Sequence, residues 1–420
     1  MKFVVFTLGC KLNLYEGQSM ISRLESLGHE ASDKLVKADC YIINTCSVTG
    51  EADRKSRQTI SRVKKLNETA PIFVCGCSSQ NDGNVYAEKD GVRLVCGTAD
   101  KVGFVDKVLK VLENDATCSV DVSEPPEEYE DNLFPAHTRT RGLIKIQDGC
   151  NNFCSYCIVP YLRGRSRSRS IESIVAEAQK AAVVSREIVL TGVNISAYGQ
   201  DTGESLISLI RALKDVKARK RLGSLECTVI TDELIEAMGN SGFCPHFHLS
   251  MQSGSADVLK KMNRHYTPEF FIERVELIRK MMPLAGITTD IICGFPTETE
   301  ENHLETLETL KRIKFSDAHV FVYSERKGTK AALLPQVEKS VRSRRAAQIS
   351  ELCNKHRTEF LQKNIGTARE VYVEENDGEF NTGYTDNYIK VYTSADVKAC
   401  EKILLKEIYK DGIKGEKIYE

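Results

Sequence analysis

The sequence predicts an α/β protein that begins with a parallel βα sheet, continues as a barrel or partial barrel of βα units, and ends in a small β module. Three observations support this prediction. Short apolar runs alternate with helix-like segments up to about residue 112, and the alternation resumes through roughly 220 further residues. The last stretch of roughly 55 residues instead has short strand-like runs separated by turn residues.

Composition excludes several classes of protein. The 420 residues are 41% hydrophobic and 28% charged, and no apolar run approaches the roughly 20 residues that span a bilayer. The net charge of −1 gives no global positive field, so any RNA site must be local. The first apolar run is too short for a secretory signal, so we expect a cytoplasmic protein with no membrane partner. Fifteen cysteines in that reducing compartment are not expected to form disulfides, so metal binding or catalysis is the leading explanation for those that are grouped.

Three strands of the predicted amino-terminal sheet end close to a cysteine, namely Cys10, Cys46 and Cys77. The loops that follow parallel strands converge at one rim, so three thiols there would make a three-ligand iron–sulfur site with one open iron. Buried small residues at strand ends are an equally good interpretation. Cys75 and Cys96 also compete with Cys77, which we prefer because it follows a glycine in the loop.

A segment rich in proline and acidic residues, Glu124-Pro125-Pro126-Glu127-Glu128-Tyr129-Glu130-Asp131, divides the chain. Such a composition disfavours packed structure, so we expect a solvated connector. The predicted boundaries are residues 1–115 for the first domain, 116–137 for the linker, 138–365 for the barrel domain and 366–420 for the small β-barrel.

The first predicted strand of the barrel domain leads into Cys150, Cys154 and Cys157. Structural zinc sites and ordinary ferredoxin clusters take four protein ligands, so three close thiols indicate a centre with one open position. The spacing resembles the cluster loop of radical S-adenosylmethionine (SAM) enzymes, with Tyr156 at the usual aromatic position. That resemblance implies a partial six-unit barrel and a [4Fe-4S] cluster whose open iron binds SAM. A zinc knuckle that borrows a distant ligand is the alternative.

Three later strand ends carry the glycine and polar residues that a SAM pocket needs. They contain Thr191, Gly192 and Asn194, then Gln252 and Ser253, and finally Gly294. Each resembles the superfamily's segment at that place, although each alone could be an ordinary βα turn with a helix cap. Arg264 similarly resembles a segment that would contact SAM. His246 and His248 share one strand face, which suits metal binding, but we prefer a role in the barrel wall.

Four arginines follow the cluster loop, at Arg163, Arg165, Arg167 and Arg169. Guanidinium groups in such a run can neutralise RNA phosphates, so this is the best local candidate for an RNA contact. A solvated loop, or pairing with acidic residues of the same chain, explains the run equally well.

The carboxyl-terminal part predicts a charged helix over residues 339–363 and then a small β-barrel. Its basic and aromatic residues, Tyr384, Tyr388, Lys390 and Tyr392, would suit an open RNA-binding face. Aromatic residues in strands are more often core residues. This part resembles the TRAM domain, an RNA-binding module.

The order of these parts resembles the methylthiotransferase family of radical SAM enzymes, and most closely its MtaB type. The similarity rests on Gly9-Cys10-Lys11-Leu12-Asn13-Leu14-Tyr15-Glu16, on His137-Thr138-Arg139 and on the run from Ile144 to Cys154. It implies an enzyme that inserts a methylthio group at C2 of N6-threonylcarbamoyladenosine at position 37 of tRNA. The alternatives are a sibling enzyme acting on isopentenyladenosine in tRNA or on a ribosomal-protein aspartate, and a zinc-containing RNA-binding protein.

The resemblance also implies two [4Fe-4S] clusters. The cluster at Cys150, Cys154 and Cys157 would generate a radical from SAM, which an inert aromatic C–H bond requires. An auxiliary cluster at Cys10, Cys46 and Cys77 would hold the sulfur, and a second SAM would donate the methyl group. The implied partners are tRNA, SAM and an electron donor of unknown identity. No conventional acid or base catalyst is evident from the sequence.

Overall fold

The computed structural model describes residues 1–114, 118–131, 141–376, 378–394, 396–397 and 400–418. The motif His137-Thr138-Arg139 lies outside the described residues. No helix among those described is both long enough and apolar enough to cross a bilayer.

The amino-terminal part is a parallel sheet with helices packed on both faces, which confirms the predicted βα repeat. Its strands are β1 (Lys2–Thr7), β2 (Glu30–Ser32), β3 (Cys40–Thr45), β4 (Ile72–Gly76), β5 (Val92–Cys96) and β6 (Ser119–Asp121), in the order β2-β1-β3-β4-β5-β6. Its helices are α1 (Lys11–Ser26), α2 (Gly50–Leu66), α3 (Cys77–Asn81), α4 (Asn84–Ala87) and α5 (Lys101–Asn114). Every residue of β3 and β4 is buried, as expected for parallel strands that are covered on both faces.

The register of this sheet aligns the strand ends that precede the cysteines. Thr7 of β1 pairs with Asn44 of β3, and Asn44 in turn pairs with Cys75 of β4. The loops that leave these strands therefore start at the same rim of the sheet.

The acidic segment after β6 packs against the rest of the chain. The Tyr129 hydroxyl donates to the Lys145 carbonyl at 2.9 Å, and Asp131 forms an ion pair of 2.7 Å with Arg169. Glu130 accepts the backbone N–H of Asp100 at 2.8 Å. The prediction of a solvated connector is therefore wrong for these residues, because their polar groups have partners that lie far away in the sequence.

The central part is a partial (βα) barrel. Its strands and short β pieces are β7 (Arg141–Lys145), β8 (Gln147–Asp148), β9 (Arg167–Ser168), β10 (Glu187–Thr191), β11 (Arg219–Leu222), β12 (Ser224–Leu225), β13 (His246–Gln252), β14 (Gly286–Cys293) and β15 (Asp317–Val322). Parallel pairing gives the orders β11-β10-β7 and β12-β13-β14-β15, and Gly223 alone separates β11 from β12. The strands described here thus form an open wall, which is the partial barrel that the sequence predicts. Its six βα units agree with the number that the resemblance implies.

The short helix α6 (Val159–Arg163) follows the cluster loop and packs against α3. The other helices cover the outside of this wall. They are α7 (Ile171–Val184), α8 (Leu206–Ala212), α9 (Asp232–Asn240), α10 (Ala256–Lys261), α11 (Pro268–Met281), α12 (Glu300–Ile313) and α13 (Lys339–Asn364). Several begin at a side-chain cap, such as Ser170 before α7 and Thr299 before α12. The largest apolar core of the described chain lies between these helices and the strands.

The carboxyl-terminal part is a closed β-barrel, as predicted. Its strands are β16 (Ala368–Asn376), β17 (Asn381–Thr385), β18 (Lys390–Thr393), β19 (Cys400–Tyr409) and β20 (Gly412–Lys417), paired in the order β16-β17-β18-β20-β19. A separate small core that includes Val371, Val391 and Leu405 fills it.

A buried ion cluster joins this small barrel to the amino ends of the central strands. Glu187 is completely buried and accepts from Arg219 at 2.6 Å and from Arg221 at 3.1 Å. The same two arginines donate to backbone carbonyls of the small barrel, including that of Tyr384 at 3.2 Å. Burial alone would raise the pKa of Glu187, but Arg221 and Arg219 lower it to about 2. The carboxylate is therefore charged and holds both arginines at the junction.

Candidate functional site

Cys10, Cys46 and Cys77, the amino-terminal thiol group, lie together at the rim of the first sheet. Cys10 directly precedes α1 and is exposed, whereas Cys46 and Cys77 are buried. Burial raises the pKa of Cys46 to about 11, and the Cys77 and Cys10 thiols add to the rise. Gly9 permits this approach, because its φ is +98° and a Cβ there would lie 2.4 Å from the Cys46 Sγ.

The two competing cysteines belong to the core of the sheet. Cys75 and Cys96 pack with Phe3 and Phe104 on one face of the sheet. Cys77 instead packs against Ile158 and Leu162, which follow the cluster loop of the barrel domain. The geometry therefore brings Cys77, rather than Cys75 or Cys96, to the junction between the two domains.

Cys150, Cys154 and Cys157, the loop thiol group, lie on a loop that folds back on itself. The backbone N–H of Cys157 donates to the Cys154 carbonyl at 2.9 Å, and that of Cys150 donates to the Gly164 carbonyl at 3.1 Å. Burial raises the pKa of Cys157 to about 12, and the Cys154 and Cys150 thiols contribute. The three thiols are thus near neighbours.

Hydrogen-bond donors surround the sulfur atoms of both groups. Arg264 Nη1 lies 3.5 Å from the Cys154 Sγ, and Asn194 Nδ2 lies 3.9 Å from the Cys150 Sγ. In the amino-terminal thiol group, Arg163 Nε donates to the Cys77 Sγ at 3.3 Å. Donors of this kind stabilise thiolates, which are the form of cysteine that binds iron.

The donor sets suit iron–sulfur clusters. Cysteine thiolates are the usual ligands of [4Fe-4S] clusters, and each group offers three of them with supporting donors. Over the described ranges, no three His, Cys, Asp or Glu side chains are arranged to hold one metal ion. The match to a cluster rests on the ligand chemistry, three cysteines in each group.

Arg163 connects the two thiol groups. Only 2% exposed, it donates from Nη1 to Glu16 at 2.8 Å and from Nη2 to Asn13 at 2.7 Å. Its Nη1 also lies 3.2 Å from Asp148, two residues before Cys150. Burial alone would raise the pKa of Glu16, but Arg163 and Lys145 lower it to about 2. We call Asn13, Glu16, Lys145, Asp148 and Arg163 the buried polar hub.

The prediction that the arginine run faces RNA is wrong for three of its four members. Arg163 is part of the buried polar hub, Arg167 pairs with Asp148 at 3.3 Å, and Arg169 pairs with Glu177 and Asp131. These pairs are the intramolecular alternative that the sequence left open. Arg165 alone of the four is exposed, with its guanidinium 4.7 Å from the centre of the Phe153 ring.

The larger cavity, of about 780 Å³, lies between the first sheet and the inside of the barrel. Cys10 lines it together with the predicted residues Thr191 and Gly192. His246 and His248 of β13 also line it, which confirms the preference for a role in the barrel wall.

The smaller cavity, of about 260 Å³, lies against the cluster loop. Tyr156 and Cys157 line it, and so does the predicted residue Gln252. Asp290 and Ile292 of β14 complete the opposite wall. This cavity is therefore bounded by Cys157 of the loop thiol group and by strand ends of the barrel.

The other predicted residues divide into two kinds. Asn194 and Arg264 contact the loop thiol group. Ser253 and Gly294 line neither cavity. The Ser253 hydroxyl lies 3.3 Å from the Thr306 hydroxyl. Gly294 has a φ of +69°, and α13 passes so close to it that an added Cβ would lie 2.3 Å from the Arg342 side chain. The geometry gives these two a role in packing.

Sequence reasoning missed two residues of the site. Arg163 was assigned to RNA rather than to the thiols, and Glu226 was not assigned at all. Glu226 accepts from Asn152 at 2.7 Å and pairs with Arg264 at 3.0 Å, so it orients the loop from the opposite strand. The sequence held one signal for the role of Arg163. Glu16, in the motif that begins at Gly9, is an acidic residue that needs a cationic partner when it is buried.

The predicted RNA face of the small barrel is partly turned inward. Tyr384 stacks on Tyr388 with 4.8 Å between ring centres, and Tyr388 stacks on His246 at 4.6 Å. Arg141 lies over both tyrosines. These two tyrosines therefore attach the small barrel to the central barrel.

Comparisons with known proteins agree with this architecture. Residues 144–310 match the Radical SAM superfamily, and residues 2–97 match a family described as uncharacterized protein family UPF0004. A solved radical SAM methyltransferase, TsrM from Kitasatospora setae with tryptophan and a SAM analogue, has a similar fold. The TM-score is 0.57 at 15% identity, over 90% of this chain and 79% of that one.

Full-length relatives are more informative. Threonylcarbamoyladenosine tRNA methylthiotransferase MtaB of Bacillus subtilis is 38% identical over 97% of this chain and 93% of the relative. The protein of that name from Aquifex aeolicus is 37% identical, with 93% and 96% covered. A tRNA-2-methylthio-N(6)-dimethylallyladenosine synthase of a Thermoanaerobacter species is also 37% identical, with 88% and 81% covered. The chain therefore belongs to the radical SAM methylthiotransferase family, whose members are enzymes that transfer sulfur-containing groups.

Proposed function

We propose that the chain inserts a methylthio group at C2 of N6-threonylcarbamoyladenosine at position 37 of tRNA, next to the anticodon. The observation that carries this proposal is the larger cavity, in which Cys10 faces the same space as Thr191 and Gly192 of the barrel. A substrate in that space would lie against Cys10 of the amino-terminal thiol group and against the strand end at Thr191 and Gly192. The names of the two MtaB relatives support the choice of nucleoside.

The two thiol groups would have different roles. The loop thiol group would hold one [4Fe-4S] cluster, and the amino-terminal thiol group would hold an auxiliary one. Together with SAM, these groups supply radical, sulfur and methyl-transfer chemistry when bound. Arg264 and Asn194 donate toward the sulfurs of the first group, and Arg163 donates toward Cys77. An electron donor completes the set of partners.

The residues of the chain position the substrate. Leu12 and Leu14 of α1 and Leu143 and Val189 of the barrel give the cavity apolar surfaces that can hold an adenine ring and exclude water. The buried polar hub holds the amino-terminal thiol group in register with the cluster loop. Positioning of this kind supplies the proximity that reaction at an unactivated C–H bond needs.

The closed barrel after residue 366 would be a TRAM-type module for tRNA, and the boundaries at residues 115, 137 and 365 would separate the domains. A substrate such as tRNA places the enzyme in the cytoplasm.

Nucleoside analysis of tRNA from a strain that lacks the gene tests the substrate. The methylthio form of threonylcarbamoyladenosine should disappear, and the plasmid-borne gene should restore it. The second candidate is methylthiolation of isopentenyladenosine, which the similarity to the dimethylallyladenosine synthase favours. Loss of only that methylthio nucleoside would replace our assignment with this one.

Metal analysis after anaerobic reconstitution tests the cofactors. Two four-iron clusters predict about eight irons per chain and no stoichiometric zinc. One stoichiometric zinc without iron would instead support the zinc-containing RNA-binding protein.

A further inference from the structure

One side of the larger cavity carries a buried polar atom without a partner. His246, only 6% exposed, lines the cavity, and its Nε2 lies 3.3 Å from the Thr288 hydroxyl. Its Nδ1 is buried and has no hydrogen-bond partner within the described chain. A buried polar atom without a partner is costly, so Nδ1 needs an acceptor that the described chain does not supply.

A lysine lines the same cavity. Lys11 follows Cys10, is exposed, and makes no ion pair in the described parts of the chain. Burial lowers the pKa of His246, and Arg221, His248 and Lys11 lower it further. The Lys11 ammonium, which lines the same cavity, therefore acts electrostatically on the imidazole.

Most of the other charged groups that line the cavity already form ion pairs or hydrogen bonds within the protein. Arg221 pairs with Glu187 at 3.1 Å, and Arg141 pairs with Glu374 at 2.6 Å. The cavity wall also contains the carboxylates of Asp317 and Glu375. Asp317 accepts the backbone N–H of Ala318 at 2.9 Å. Lys11 is therefore the lining cation without a carboxylate partner among the described residues.

We propose that Lys11 and His246 form a carboxylate-binding subsite that recognises the threonine part of the N6 substituent of the substrate. This inference rests on the proposed function and adds the residues that select the nucleoside. Lys11 would pair with the carboxylate, and His246 would donate from Nδ1 to one of its oxygens. An isopentenyl group has no charge or acceptor to offer this pair, so it would leave both groups desolvated without compensation.

The position of Lys11 suits the geometry of the base. C2 and the N6-bearing carbon of adenine both flank N1, so they lie on the same edge of the ring. A base that presents C2 to the amino-terminal thiol group therefore presents its N6 substituent to the residues beside that group. Lys11 is the nearest such residue in the sequence, and it lies on the first turn of α1.

The test uses the full-length reconstituted enzyme and two synthetic anticodon stem-loops. One carries N6-threonylcarbamoyladenosine, and the other carries the same nucleoside with its carboxylate converted to the uncharged amide. Fluorescence polarisation measures Kd, and product analysis measures kcat and KM. The wild type should bind the acid about tenfold more tightly than the amide, because a charge-assisted hydrogen bond is lost.

Four variants test which residues cause the preference for the acid over the amide. Lys11→Met should bind acid and amide equally, through weaker binding of the acid. His246→Phe should bind both substrates more weakly and keep a preference for the acid, because Lys11 still pairs with the carboxylate. Lys11→Arg should keep the preference because it keeps the charge. Lys280→Met, a change at an exposed lysine of α11, is the matched control and should behave as the wild type. Iron content and circular dichroism show that each variant is loaded and folded.

The outcomes separate this inference from the proposed function. The subsite would be overturned if the wild type bound acid and amide equally, or if Lys11→Met kept the preference of the wild type. The proposed function would stand in either case, provided that the acid substrate is methylthiolated. Failure of the wild type to methylthiolate the acid substrate would overturn both. The comparison of the two substrates on the wild type needs no variant to fold.

Discussion

At the residue scale, Arg163 explains how two distant groups of cysteines come together. Its guanidinium donates to Glu16 and Asn13 on α1, to Asp148 ahead of the cluster loop and to the Cys77 Sγ. A buried arginine can satisfy so many acceptors because its donors form a rigid planar fork. The junction between the first two domains therefore combines a buried ionic cluster with apolar contacts, whereas the core of each domain is apolar.

Replacement of Arg163 tests this view. Arg163→Met removes the cation and leaves Glu16 and Asp148 buried with less compensation, so the free energy of unfolding should fall by about 3–5 kcal/mol. Urea denaturation of the unloaded protein measures it. Arg165→Met is the matched control, because that arginine is exposed in the same loop, and it should change stability by less than about 0.5 kcal/mol. Equal effects of the two changes would contradict a special role for the hub.

A second prediction at this scale concerns acid. Arg221 and Arg219 lower the pKa of Glu187 to about 2 from its usual value of about 4.5, so the carboxylate contributes about 3 kcal/mol above pH 4.5. That contribution is lost as pH falls from about 4.5 toward 2. Wild type should therefore be more stable than Glu187→Gln at pH 7, and the gap should narrow below pH 4.5.

Denaturation curves of both proteins at several pH values check this. Arg211 and Glu233 form an exposed ion pair between helices, so Glu233→Gln is a suitable control with little effect at any pH. A gap between wild type and Glu187→Gln that stays constant down to pH 2.5 would show that Glu187 does not carry the acid sensitivity.

At the scale of elements, the strand ends were predictable and the contacts between loops were not. Alternating apolar runs and helical segments predicted that Cys10, Cys46 and Cys77 follow parallel strands, because the pattern determines which ends meet. The arginine run after the cluster loop was misassigned, since Glu16 lies 147 residues before Arg163 in the sequence. A charge pattern alone does not reveal a partner at that distance.

The cluster loop also depends on a glycine. Gly149 has a φ of +68°, and a Cβ there would lie 1.8 Å from the Arg165 carbonyl oxygen. Gly149→Ala should therefore displace the loop and reduce the iron of the reconstituted protein from about eight to about four per chain. Gly203→Ala is the matched control, because its φ of +81° is similar but no atom lies within 4 Å of the added Cβ. Full iron loading of Gly149→Ala would contradict this account of the loop.

At the scale of the whole molecule, three parts enclose one cavity. Cys10 comes from the first sheet, Thr191 from the central barrel and Tyr388 from the small barrel, and all three line it. The sequence predicted each part, but not the attachment of the small barrel through Arg219, Arg221 and Glu187. That attachment depends on backbone carbonyls of the small barrel, which a sequence pattern does not specify. An active site built from several parts can divide its chemistry between them.

This division of labour is the central claim, and Cys10→Ala tests it most directly. The measurement quantifies 5′-deoxyadenosine and methylthio nucleoside in one anaerobic reaction of the reconstituted variant with SAM, reductant and tRNA. We predict that SAM cleavage continues, because the loop thiol group is unchanged, while the methylthio product falls below detection. Loss of SAM cleavage in a variant that remains folded, or continued formation of the methylthio product, would contradict the assignment of separate roles to the two thiol groups.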